Sequence, residues 1–206
     1  LFLCNKNMVK MDTNNDSKAK NDLLAEVCLA AKFEAESLKK YHDRYRINNK
    51  DSKICTVLAR SFADIGDIVR GRDLYLGNRK KKPNGKETER EKLEKKLKDI
   101  FKEIHENLGT QDAKGHYGGD GNFFQLREDW WTANRETVWE ALTCSKELNN
   151  SAYFRPTCGD SESPSQANDK CRCPKTSGAK AGKAIKAGDN VSIVPTYFDY
   201  VPQYLR

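Results

Sequence analysis

The chain has 206 residues, enough for one sizeable domain or two small ones. Apolar residues make up 37% and charged residues 33%, which predicts small cores under a heavily solvated surface, and no run approaches the roughly 20 apolar residues that span a bilayer. Lysine and arginine exceed aspartate and glutamate by 37 − 30 = 7, so the expected partners are anionic: nucleic acid, acidic lipid or sulfated glycan.

The chain opens on LFLCNK with neither an initiator methionine nor a signal peptide, which reads as a piece of something longer. Residues 5–20 are polar. Asp12, Asn14 and Asp16 match the opening of a calcium loop, but Ser17 stands where the turn glycine belongs and Leu23 where the bidentate glutamate belongs, so no metal is expected. A helix is predicted over 17–45, capped by Asp16 or Ser17, with Leu24, Val27, Cys28, Ala31, Ala35, Leu38 and Tyr45 on one face. A second helix, 54–76, carries Val57, Leu58, Phe62, Ile65 and Val69 inward. The basic stretch 77–87, with Pro83 and Asn84-Gly85, reads as a loop.

The third helix, 88–108, has a narrow apolar stripe of Leu93, Leu97, Ile100, Ile104 and Leu108, widened by Phe101, and Gly109 is placed to end it. The five glycines of 109–124 predict a loop, without the order of a phosphate-cradling motif. A fourth helix, 127–148, turns Trp130, Trp131, Val138, Ala141 and Leu142 to the core, an aromatic group that reads as packing. Residues 149–190 lose all periodicity and are expected to be an exposed loop, stapled in part by cysteines. The ending VSIVPTYFDYVPQYLR reads as extended chain returning onto the helices. The fold class is all-α with long loops.

Seven cysteines accompany three histidines, and no C-x-x-C pair occurs, so a zinc site is not expected. Scattered cysteines favour disulfides in an oxidising compartment, with Cys4 as the odd one left over. Catalysis finds no support. Asp64 and Asp67 alternate with the buried positions and read as solvated or paired with Arg60, Arg70 or Arg72, with Asp73 following them. Ser61 has no histidine partner and Cys55 no base. No enzyme and no cofactor are expected. Nucleic-acid recognition lacks any zinc-finger, RNP or recognition-helix signature. Two basic clusters remain as candidate anion-binding surfaces: Arg70, Arg72, Arg79, Lys80, Lys81 and Lys82, and the loop bearing Lys175, Lys180, Lys183 and Lys186.

Blocks along the whole chain carry a resemblance. ARSFADIGDIVRGRDLYLGN at 59–78, FFQLREDWWTANRETVWEALTC at 123–144, SQANDKCRC at 165–173 and DYVPQYLR at 199–206 resemble the Duffy-binding-like domains of the malaria parasite. The alpha class of erythrocyte membrane protein 1 is the nearest, and NDLLAEVCLAAKFEAESL at 21–38 and LFLCNKN at 1–7 are similar to it as well. The resemblance implies a disulfide-stapled helical bundle without catalytic activity, displayed on the infected red cell. It implies binding of host receptors or of sulfated or sialylated glycans, rosetting, and antigenic variation between the fixed blocks. It also implies an organisation in which 1–16 ends one subdomain, 17–148 is the helical second, and 149–206 leads to a third. Cys4 would then lack its upstream partner. Among Cys28, Cys55, Cys144, Cys158, Cys171 and Cys173 the favoured pairing is Cys55 with Cys144, tying the second helix to the fourth. An alternative role for this middle piece is scaffold and immune decoy, with receptor contacts made by its flanks.

Overall fold

The computed structural model describes residues 18–46, 53–74, 88–159, 164–174 and 193–206. The capping and calcium-loop readings of residues 12–17, and Cys4, lie outside them. Five α-helices follow one another among the described residues: α1 (Lys18–Arg46), α2 (Ile54–Arg70), α3 (Glu89–Glu106), α4 (Gln111–Tyr117) and α5 (Phe124–Leu142). A short antiparallel ladder of β1 (Pro156–Cys158) and β2 (Ser165–Gln166) comes next, and two 3-10 turns end the chain.

α5 is the central element. α1 and α2 both pack on it and on each other, while α3 touches α1 and α5. Its indoles set the core. Phe62 of α2 meets Trp131 and Trp139 at centroid distances of 5.1 Å each, and Phe101 of α3 stands edge-on to Trp130 at 6.1 Å. Such aromatic contacts add about 0.5–1.5 kcal/mol beyond area burial. α2 is buried on more than one stripe: besides Leu58, Phe62 and Val69, it hides Cys55, Ala59, Ala63, Gly66, Asp67 and Arg70. Val57 and Ile65 are half-buried. On α1, Val27, Cys28, Ala31 and Ala35 face the core with Leu23 and His42, and the Tyr45 side chain lies outside the described residues.

The ends of the helices follow local chemistry. α2 stops at Arg70, short of the expected 76, because Gly71 takes φ +72° and its N–H turns back to the Ile68 carbonyl. Arg72 N donates to the Asp67 carbonyl at 2.8 Å, closing the helix with a left-handed cap. α3 begins with a capping box in which Thr88 and Glu91 satisfy each other's backbone N–H groups. It ends at Glu106 with Asn107 as its C-cap, before Gly109. The expected loop over 109–124 instead contains α4, because Thr110 caps it by accepting from Ala113 N at 3.2 Å. α5 starts at Phe124, earlier than expected. The Asp120 carboxylate accepts from Asn122 N and Phe124 N, and Phe123 between them takes φ +56°. It ends at Leu142, since the chain turns at Thr143 and resumes as a 3-10 turn over Lys146–Leu148.

The cysteine pairing corrects the sequence expectation. Cys55 bonds Cys171, not Cys144, and Cys158 bonds Cys173. Cys171-x-Cys173 therefore serves two partners, one on α2 and one on β1. Trp139 Nε1 donates to the Cys171 carbonyl at 3.1 Å and holds this turn against α5. Cys144 lies beyond the end of α5, half-buried with a free thiol, and Cys28 is free and buried. Neither belongs to a disulfide. Burial, reinforced by Glu140, pushes the Cys28 thiol up to about 12. The described part of 149–190 is not wholly exposed, because the staples bury Tyr153, Cys158, Ala167, Cys171 and Cys173.

Gly66 of α2 sits against the Trp131 indole of α5 with no room for a side chain. A Cβ built there would lie 2.8 Å from Trp131 Cζ2. Gly66→Ala gains about 1 kcal/mol of helix propensity, but displacing a packed indole costs about 1–3 kcal/mol. We expect a net loss of stability in urea unfolding, and a gain would contradict this packing.

Candidate receptor-binding surface

Arg70 ends α2 and was expected on a basic surface. It is 1% exposed. Its Nε donates to the Gly66 carbonyl at 3.1 Å, and its Nη2 to Asp67 Oδ1 at 3.0 Å and to the Asp199 carbonyl. Tyr200 lies over its guanidinium at 5.4 Å. Arg70 is thus a structural cation and is withdrawn from the ligand-binding set. Asp67 pairs with Arg70, one of the cations expected for it, but is buried, between Arg70 and Arg206. Only Asp64 faces outward as expected, and its cation is Arg206, at 2.9 Å, rather than Arg60, Arg70 or Arg72.

Asp199 sits in the 3-10 turn Phe198–Tyr200 and is itself buried. Its carboxylate accepts from Trp131 Nε1 at 3.0 Å, from Arg135 Nε at 2.8 Å and from Arg135 Nη2 at 2.9 Å. Arg135 Nη2 also donates to the Thr196 carbonyl at 2.9 Å. Burial works against the Arg135 charge, yet the hydrogen bond and charge of Asp199 outweigh it and raise the guanidinium pKa. A further buried arginine, Arg127, donates to the Ile68 and Val69 carbonyls at the end of α2 and forks onto Glu94 of α3 at 2.7 and 3.0 Å. It places a cation against the negative end of a helix. It also explains Gly71, where a Cβ would lie 2.9 Å from the Arg127 guanidinium carbon.

What this network presents to solvent is an aromatic and mixed-charge surface. A recess of about 200 Å³ lies between Asp67, Arg70, Arg72, Tyr200, Gln203 and Tyr204. Leu74 and Tyr204 in its lining stand exposed, and Tyr197 and Leu205 of the same tail are exposed as well. Arg72 is 59% exposed and pairs with Glu128 at 2.5 Å. Asp73 is held by Arg90 at 2.8 Å and Gln203 at 3.0 Å. Of the residues in the two candidate anion-binding clusters, Arg72 alone is both described and on the surface. Arg79, Lys80, Lys81, Lys82, Lys175, Lys180, Lys183 and Lys186 lie outside the described residues. Among the described residues no group of His, Cys, Asp or Glu is placed to hold a metal ion. No described helix is long and apolar enough to cross a membrane.

The class defined by these features is a mostly helical, disulfide-stapled domain with its polar network buried as structure. The model of the Duffy binding domain family matches residues 1–206, and the chain belongs to that family. No curated protein sequence matches the chain. Among solved structures it is similar to the NTS-DBL1(alpha-1) domain of Plasmodium falciparum membrane protein 1 (PfEMP1) from the varO strain. Identity there is 40% and the TM-score 0.63, over 98% of this chain and 39% of that one. It is also similar to the PfEMP1 IT4var13 DBLbeta domain, a structure bound to ICAM-1. In that case identity is 29% and the TM-score 0.54, over 93% of this chain and 38% of that one. The chain thus spans about two-fifths of the solved chains it matches. Both belong to a family of binding domains rather than of enzymes.

The buried network gives a direct test. Asp199→Asn keeps the shape of the side chain but leaves Arg135 buried without its counter-charge, which costs about 3–5 kcal/mol. We expect urea unfolding to register a loss of that order; a loss below about 1 kcal/mol, the worth of a surface pair, would contradict the assignment.

Proposed function

We propose that the chain is the adhesive part of a protein on the infected red-cell surface, binding a host cell-surface receptor or a sulfated or sialylated glycan. The observation that carries this reading is the likeness, over 93% of the chain, to a domain solved bound to ICAM-1. The net charge of +7 supports electrostatic attraction to anionic partners. On this reading Arg72, Arg79, Lys80, Lys81 and Lys82, on the helical subdomain 17–148, and Lys175, Lys180, Lys183 and Lys186, on the segment 149–206, supply the cations. Cytoadherence, rosetting and antigenic variation belong to the same proposal.

A second reading is favoured by one fact, that the chain spans only about two-fifths of its solved relatives. Under it this piece is scaffold and immune decoy, and flanking regions hold the receptor.

Heparin chromatography over a salt gradient separates the two. Contacts between exposed charges weaken steeply with salt. The chain is expected to be retained, and a variant with Lys80→Gln, Lys81→Gln and Lys82→Gln to elute at clearly lower salt. Unchanged elution of the variant would remove that cluster from the site, and early elution of both proteins would favour the scaffold.

A further inference from the structure

A second and larger recess, of about 540 Å³, opens between the C-terminal half of α1, the start of α2 and the turn after α5. Its volume is in the range of pockets that hold small ligands or peptide side chains. The floor is apolar, made by Ala35, Ile54, Ala141, Leu142 and Leu148. The rim carries Lys32, Lys39, Lys40 and Lys146, with Glu36 and Glu147 as its acids.

Two of these charges answer each other. Lys39 Nζ donates to Ser145 Oγ at 2.6 Å and pairs with Glu147. The hydrogen bonds from Lys39 and then Ser145 hold the Glu147 carboxyl down to about 2, so it stays charged and engaged at neutral pH. That leaves Lys32, Lys40 and Lys146 against Glu36 alone. None of the three lysines has an ion-pair partner among the described residues. Lys32 and Lys40 are eight residues apart on one helix, which separates their stems by roughly 12 Å.

The matching ligand therefore carries at least two separated negative charges and an apolar group between them. A sugar site would be expected to offer a stacking ring and amide or carboxamide side chains to read hydroxyls. Among the described residues the lining has no Trp, Tyr, Phe, Asn or Gln, and its one ring, His42, is buried. We propose that this recess binds an acidic peptide segment of a partner protein, seating an aliphatic side chain on the Ile54–Leu142–Leu148 floor and its carboxylates on Lys32, Lys40 and Lys146. The proposal rests on the adhesion reading and adds to it a protein ligand at a site away from the Arg72 surface. Acidic side chains engaging a lysine rim fix orientation and speed encounter, while the apolar anchor supplies most of the affinity.

Cys144 lines the recess and its free thiol reports occupancy. The probe is a fluorescent hexapeptide of four glutamates flanking two central leucines, titrated into the 206-residue chain by anisotropy. Alkylation of Cys144 is followed in parallel by peptide mass mapping. Binding is expected to weaken at least tenfold in the double variant Lys32→Glu, Lys40→Glu, and at least threefold when the leucines are replaced by serine. Saturating peptide is expected to slow Cys144 alkylation several-fold. Circular dichroism confirms that the surface variants fold.

Undiminished binding by the double variant would overturn the proposal, as would Cys144 alkylation unaffected by peptide. A heparin hexasaccharide that protects Cys144 where the peptide does not would assign the recess to a glycan and overturn it equally. Retention on heparin without peptide binding contradicts the recess alone. Peptide binding without retention leaves the recess standing and contradicts the glycan reading.

Discussion

The carboxylate of Asp199 joins the C-terminal segment to the helices, and the geometry around it accounts for much of the rest. An ionised carboxylate held out of water is tolerated only when paired and hydrogen-bonded. Here Arg135 supplies two donors and Trp131 a third, all from one face of α5. The Asp199 carbonyl then accepts from Arg70 at the end of α2. A single turn of chain thus ties the two helices together. Tyr200 lies within cation–π range of both Arg70 and Arg135, at 5.4 and 5.3 Å, and shields the pair from solvent. The Trp131 indole of this network also requires the glycine at 66, as the separate Arg127 guanidinium does at 71.

The disulfides act at the opposite end of α2. Cys55, in its first turn, is bonded across 116 residues to Cys171, and Cys158–Cys173 closes a much smaller loop onto the same turn. A cross-link over so long a loop is the kind that constrains the unfolded chain most, by about 4–5 kcal/mol in the chain-entropy model. α2 is therefore held covalently at its start and electrostatically at its end. Among the described residues, the exposed Tyr204 of the tail and the lysine rim beside Cys144 take no part in these ties.

The sequence made the helices legible because each had an apolar period: the Leu97–Phe101–Ile104 stripe and the Trp131–Val138 face lie where periodicity placed them. Trp139 and Arg135 did not fit a single stripe and were missed, since α5 is covered on several sides at once. Charged residues read by periodicity fall on the outside, so Arg70, Asp67 and Asp199 were invisible as core. Their partners lie up to 139 residues away and no local pattern announces them. The DYVPQYLR block signalled the family, yet its physical task appears only when Asp199 and Arg206 are seen against α2 and α5. Cysteine pairing was open for the same reason, and the preference for tying the second helix to the fourth chose the wrong partner for Cys55. The α4 helix was hidden by its glycines, although Thr110 was a cap in plain view.

Membership in a family of binding domains gives the class of function, while Asp199, Arg135 and Arg70 explain how the helices that carry the surface are held in register. That claim is tested most directly by a double-mutant cycle on Arg135→Gln and Asp199→Asn, with stability read by urea unfolding. Residues joined in a buried charge network couple by about 0.5–3 kcal/mol, whereas independent sites add within about 0.5 kcal/mol. The account predicts a coupling above about 1.5 kcal/mol; strictly additive losses would contradict it.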